Sequence, residues 1–160
     1  MNQEIERKFL IKKIPDLKKI KPVIYNRHFI FKDKKTEIRI QKRGTRYELE
    51  RKEKLDNISF NKVKIKISKK EFDTFKKISL DQIKRKSYLI KNNPNITIKI
   101  YQGKHSPLKR VEVEFKSKKE ANNFKVPSWF GKEITGSPLA KDSKLSNLSS
   151  EKIKKLLTIY

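Results

Sequence analysis

Residues 4–11 read Glu4-Ile5-Glu6-Arg7-Lys8-Phe9-Leu10-Ile11, and residues 110–115 read Arg110-Val111-Glu112-Val113-Glu114-Phe115. Both runs alternate polar and apolar residues, the period of a β-strand with one charged and one apolar face. Side chains two apart share a face, so Glu4, Glu6 and Lys8 lie together, as do Arg110, Glu112, Glu114 and Lys116. Paired carboxylates beside a cation suit a divalent metal on a phosphate-rich ligand. Hard cations take carboxylate oxygens and share phosphate oxygens, while Lys and Arg cover the remaining negative charge.

The same alternation continues outward from these two runs. Strands are predicted over 3–11, 23–31, 36–43, 45–53, 58–67, 83–91, 95–102 and 109–116. Turn chemistry separates several of them, at 42–45 (K-R-G-T), 92–95 (N-N-P-N) and 102–107 (Q-G-K-H-S-P). Val63, Ile65 and Ile67 oppose Lys62, Lys64 and Lys66; Ile96, Ile98 and Ile100 oppose Thr97, Lys99 and Tyr101. Capping boxes at Ser68–Glu71 and Ser117–Glu120 predict helices, the second closed by Pro127, and a last helix is expected over about 150–158. Pro15-Asp16 predicts the start of a short one. A sandwich would bury the apolar faces and expose the charges; a barrel could turn the charges into a wet interior. Periodicity leaves both open.

Composition narrows the chemistry. The chain has 160 residues, the length of one ordinary domain, and a formal net charge of +25, which draws polyanions. Of its 43 basic residues, only Arg7, Arg27, Arg39, Arg43, Arg46, Arg51, Arg85 and Arg110 are arginines. That lysine bias, with abundant Ile and little Ala, is the mark of an AT-rich coding sequence, so part of the charge is expected to be solvated surface. Cysteine is absent, which excludes disulfides, thiolate metal sites and cysteine nucleophiles. His28 and His105 lack zinc-ligand spacing. Four glycines spell neither a P-loop nor a dinucleotide fingerprint. With a charged strand at its start and no long apolar run, the chain is expected to be soluble, cytoplasmic and free of membrane contact.

The ordered set of motifs resembles the CYTH superfamily, the triphosphate tunnel metalloenzymes. Glu4-Ile5-Glu6-Arg7-Lys8 matches the N-terminal E-x-E-x-K, Arg39-Ile40-Gln41 the R-x-R strand, Tyr47 through Lys52 the Y-x-L-x-x-K strand, and Glu112-Val113-Glu114 the late E-x-E. Pro127-Ser128-Trp129-Phe130-Gly131-Lys132-Glu133-Ile134-Thr135 is similar to the P-x-W-L-G-x-E-V-T segment of short bacterial members. The resemblance implies one CYTH-like domain over 1–160, mainly β (α+β): an eight-stranded antiparallel closed tunnel barrel with flanking helices. It implies Mg²⁺ or Mn²⁺ on Glu4, Glu6, Glu112 and Glu114, with Lys8 beside them in catalysis. Phosphate falls to Lys8, Arg39, Lys52 and Arg85, with Lys62 and Lys64 on the same tunnel wall. The small-molecule substrate is a triphosphate, inorganic tripolyphosphate first, and the chain is a monomer or homodimer.

Departures from the family pattern shape the expectation. The strand that reads R-x-E-x-E in the family gives Phe60, Lys62 and Lys64 here, and E-x-D becomes Thr97-Ile98-Lys99. The second arginine of R-x-R is Gln41, and D-x-R-Y-x-N has become Ser137-Pro138-Leu139-Ala140-Lys141-Asp142. Fewer acids predict weaker metal binding and a stronger anion grip. The alternatives are a triphosphate or polyphosphate binder without turnover and a class IV-type adenylate cyclase, which uses the same grip with another nucleophile. A nucleic-acid-binding β-barrel is the reading from a different class. No aromatic stacking platform recurs in the strands, and paired glutamates would repel a phosphate backbone. Trp129 reads as packing.

Overall fold

The computed structural model describes residues 2–160. Its strands in chain order are β1 (Asn2–Ile11), β2 (Val23–Lys32), β3 (Thr36–Arg43), β4 (Arg46–Lys54), β5 (Ser59–Ile67), β6 (Asp81–Asn92), β7 (Asn95–Tyr101), β8 (Lys109–Phe115) and β9 (Phe130–Glu133). The helices are α1 (Lys69–Lys76), α2 (Lys118–Asn123), α3 (Asp142–Leu145) and α4 (Ser150–Leu157). Every strand pairing is antiparallel, in the order β5-β4-β3-β2-β6-β7-β8-β1, and β1 pairs again with β5. That last pairing, Asn2 opposite Lys62 through Ile5 opposite Ser59, closes an eight-stranded barrel. The charged faces turn inward, so the barrel alternative describes the molecule.

β9 is the extra strand. It continues along the edge of β1 where β5 leaves off, with Phe9 opposite Glu133 and Ile11 opposite Phe130. Gly131 permits the approach: a Cβ there would come within 3.2 Å of the Leu10 backbone carbon. In the β3–β4 hairpin, Gly44 takes a φ of +57°, a left-handed conformation that only glycine adopts without penalty.

Three apolar clusters account for the outward faces and one barrel end. Ile5, Phe9, Ile96, Ile98, Val111, Val113 and Phe115 pack with Ala121 of α2 and with Phe130. Ile40 and Ile67 pack under Phe72 of α1. The third cluster is of another kind. Phe29, Ile83, Tyr101 and Leu108 share strand parity with the inward-facing Arg27, Arg85, Lys99 and Arg110, and they pack against Ile134, Leu139, Leu145 and Ile153. The C-terminal segment therefore plugs one end of the barrel.

Several sequence expectations change. Pro15-Asp16 opens no helix; the segment makes a turn in which Ile20 N–H donates to the Leu17 carbonyl (3.0 Å). α1 has the full capping box, with Glu71 N–H on Ser68 Oγ (3.2 Å) and Ser68 N–H on Glu71 Oε2 (2.6 Å). α2 has half of one, because Glu120 Oε2 accepts from Lys116 N–H rather than from Ser117. α2 ends at Asn123, before Pro127 could stop it, and Lys116 lies just beyond β8. Trp129 packs edge-on against Phe130, with centroids 4.4 Å apart.

Candidate functional site

Inside the barrel lies a cavity of about 320 Å³, lined by alternate residues of all eight barrel strands. It includes fourteen basic and seven acidic side chains, so the wall is a mixed polar surface with a clear cationic excess. The sequence-derived candidates converge here: Glu4, Glu6, Lys8, Arg39, Lys52, Lys62, Lys64, Arg85, Glu112 and Glu114 all line it. The register explains the acidic side, since β1 and β8 pair directly and set Glu6 opposite Glu114 and Lys8 opposite Glu112.

Each candidate cation has a carboxylate partner. Lys52 Nζ lies 2.6 Å from Glu4 Oε2, without the angle of a hydrogen bond, and 2.9 Å from Glu6 Oε1. Lys62 closes on Glu4 Oε1. Lys8 Nζ reaches Glu6 Oε1 at 2.8 Å and also donates to the Ala140 carbonyl (2.9 Å). Arg39 sits between Glu50 (2.6 Å) and Glu37, and Lys64 Nζ is 3.1 Å from Glu50 Oε1. Burial alone would raise the Glu4 and Glu50 carboxyls; Lys52 and Lys62 at Glu4, and Arg39 and Arg27 at Glu50, outweigh it and hold both far below the ordinary range.

At the floor of the cavity is a cluster that sequence reasoning missed. Asp142, buried at the start of α3, accepts from Tyr101 Oη (2.5 Å) and Arg110 Nη2 (2.9 Å) on Oδ1. Its Oδ2 takes Arg27 Nη1 (2.7 Å) and Arg85 Nε (3.3 Å). Burial opposes the charge, yet Arg110, Arg85 and Arg27 keep this carboxyl well below the usual range. Gln41, at the second arginine position of the R-x-R resemblance, accepts from Arg27 and donates to Glu48 (2.8 Å) and Glu50 (2.9 Å). The inward parity of Arg27 with Tyr25, and of Arg110 with Glu112, was readable in the strands. Asp142 was not, because it arrives from a separate segment.

The acidic wall has a chemical character of its own. Lys99, on β7, closes on Glu112 Oε1, while Lys8 and Arg110 stand 3.6 Å from Oε2. Burial would raise Glu112, but Lys99, Lys8 and Arg110 outweigh it and push it well down. Burial, then Arg85, pulls the Lys99 amine down to about 7. Glu114 has no ion-pair partner among the described residues, and its carboxyl is pushed up by desolvation and then by Glu4, Glu112 and Glu6. Carboxylates fit a hard divalent cation in donor type. With lysines holding three of the four, no group of three or more Asp, Glu or His is disposed to hold a metal among the described residues.

Comparison with known proteins agrees with this geometry. No protein-family model matches the chain. A curated relative, an inorganic triphosphatase of Nitrosomonas europaea, is 29% identical over 135 residues, 82% of this chain and 89% of the relative. A solved inorganic triphosphatase superimposes with a TM-score of 0.64 at 27% identity, over 89% of this chain and 96% of that one. The chain is thus similar in sequence and fold to inorganic triphosphatases over most of its length. A conserved hypothetical protein from Pyrococcus furiosus shares the tunnel fold, with a TM-score of 0.58 at 23% identity over 93% of each chain. No helix among the described residues is long and apolar enough to cross a membrane.

Proposed function

We propose that residues 1–160 form one tunnel domain that hydrolyses a small triphosphate in the cytoplasm, with inorganic tripolyphosphate the first substrate. The observation that carries this reading is the closed barrel with fourteen basic side chains turned onto a cavity of about 320 Å³. That volume is in the range of small-ligand pockets, roughly 300–1,000 Å³, and a duplex or a folded nucleic acid could not thread it. The curated relative and the solved structure, each named an inorganic triphosphatase, support the same substrate class.

The chain's own residues supply positioning and charge. Lys8, Arg39, Lys52, Lys62, Lys64 and Arg85 exchange carboxylate oxygens for phosphate oxygens, a trade between like partners that costs little desolvation because all six already line the cavity. In hydrolysis the water oxygen bonds to a terminal phosphorus while the bridging P–O bond breaks and pyrophosphate leaves. Lysine and arginine groups fixed in a low-dielectric wall stabilise the charge that develops on that leaving group. Mg²⁺ or Mn²⁺, held by Glu4, Glu6, Glu112 and Glu114, would supply neutralisation of phosphate charge and a more acidic bound water. The closed wall keeps bulk water away from the reacting link.

Phosphate release from tripolyphosphate, ATP and thiamine triphosphate, with Mg²⁺, Mn²⁺ or EDTA, tests the reading beside Glu112→Gln. Metal-dependent release, fastest from tripolyphosphate and at least a hundredfold slower in the variant, is expected. Tight binding with no release in any metal would leave a binding protein on this fold, and cyclic AMP from ATP would make it a cyclase.

A further inference from the structure

Glu4 is gripped on both oxygens by Lys52 and Lys62, and Glu112 is gripped on Oε1 by Lys99 and faced on Oε2 by Lys8 and Arg110. These are two of the four carboxylates to which the proposed reading gives the divalent cation. A second cation brought to the same oxygens would meet ammonium groups within hydrogen-bond distance, inside a wall where charge is poorly screened. Lysine suits a temporary partner, being a compact point charge on a flexible stem with no fixed fork geometry. The arginines of the site also pair with carboxylates, Arg39 with Glu50 and Arg27, Arg85 and Arg110 with Asp142, so it is the flexible stem that singles out the lysines next to Glu4 and Glu112.

We infer that Lys62 and Lys99 are tethered counter-cations that close the acidic wall to divalent metal until a triphosphate draws them onto its own oxygens. Lys62 leaves Glu4 and Lys99 leaves Glu112; the freed oxygens then accept a cation, and the triphosphate takes the two ammonium groups in exchange. Metal and triphosphate thus bind with positive coupling, each raising the affinity of the other by the same factor. The inference rests on the triphosphate reading for what releases the lysines, and on the ion pairs alone for what closes the wall.

The test starts without triphosphate. Mn²⁺ is titrated into the full chain and free Mn²⁺ is followed by electron paramagnetic resonance, for wild type, Lys62→Gln, Lys99→Gln and the double variant. The variants are expected to bind Mn²⁺ at least tenfold more tightly than wild type. Lys99 is buried and its loss could unfold the chain, so Lys62→Gln, with its side chain 22% exposed, carries the comparison alone if circular dichroism shows Lys99→Gln unfolded. Wild type binding Mn²⁺ as tightly as the variants overturns the inference and leaves the triphosphate reading standing. A second arm titrates tripolyphosphate into wild type in EDTA by calorimetry, where binding is expected because the lysines release without metal. No binding there, or with Mn²⁺ present, overturns the triphosphate reading and the release step with it.

Discussion

Asp142 stands among three guanidinium groups and a phenol, all buried, and each of its oxygens accepts two of them. Asp142→Asn keeps the shape and removes the charge, leaving Arg27, Arg85 and Arg110 facing one another without an anion. A broken buried ion network costs about 3–5 kcal/mol, so urea unfolding of the variant should show a loss of that size. A loss under about 1 kcal/mol would mean that water already screens the arginines. His28 makes a second case. The residue is 3% exposed, and its ring packs edge-on to Phe72 and finds no hydrogen-bond partner for either nitrogen. Burial, then Lys76 and Lys84, pushes its pKa down from 6.5 to about 4. Between those values the unfolded chain holds more protons, so stability falls as pH falls through that window. His28→Phe should flatten the fall between pH 7 and 4.5 by about 2–3 kcal/mol, read as the difference between the two urea curves. At this scale the sequence showed Glu4, Glu6, Lys8 and Glu112 through their spacing. It hid the partner of Arg85, since Asp142 is 57 residues away in the chain.

The strands were legible as elements because each carries a clean period of two, and β3 falls on the expected residues without displacement. The exceptions share one cause. β9 is four residues long with no alternation to announce it, and α3 is equally short, so neither segment holds a pattern to read. The Asp16 segment carries a helix-start signal, but no apolar face follows it to pack, and it stays a turn. β9 still has a definite role, since it seats Arg7 against Glu133 (2.6 Å) and lets Ile134 N–H donate to the Lys8 carbonyl (2.9 Å). Both contacts fix the strand that carries Glu4, Glu6 and Lys8. Gly131→Ala would press a methyl group to 3.2 Å from the Leu10 Cβ and backbone carbon, atoms of a residue paired with Arg110 near the end of β1. Overpacking of that kind costs about 1–3 kcal/mol. A thermal melt should fall by roughly 2–12 °C, at about 2–4 °C per kcal/mol for a chain of this size. An unchanged melting temperature would show that β9 can slide along β1.

The whole molecule turns the usual arrangement of charge inside out. Apolar faces look outward under α1, α2 and β9, while charged faces look inward, and the C-terminal segment stops one end with Leu139, Leu145 and Ile153. Strand periodicity is the same for a sandwich and for this barrel, so the choice between them came from the motif resemblance and was settled by the β1–β5 pairing. The plug was illegible because only Ile153 sits on a readable helix face, while Leu139 and Leu145 lie in short elements without a pattern. A cavity with fourteen basic and seven acidic groups holds uncompensated positive charge, and the folded state is the only state that gathers it. A ligand that binds only the folded chain adds RT ln(1 + [L]/Kd), about 2.7 kcal/mol at a hundredfold excess over Kd. Tripolyphosphate at that excess should raise the melting temperature by roughly 5–10 °C. Orthophosphate at the same concentration should give a smaller rise, since it reaches fewer of the cations spread along the wall. A single-stranded oligonucleotide should give little at physiological salt, because surface lysines alone would hold it and counterions compete with them. If the oligonucleotide stabilises the chain more than tripolyphosphate does, and loses that effect steeply with salt, the outer surface and not the barrel interior is the binding face.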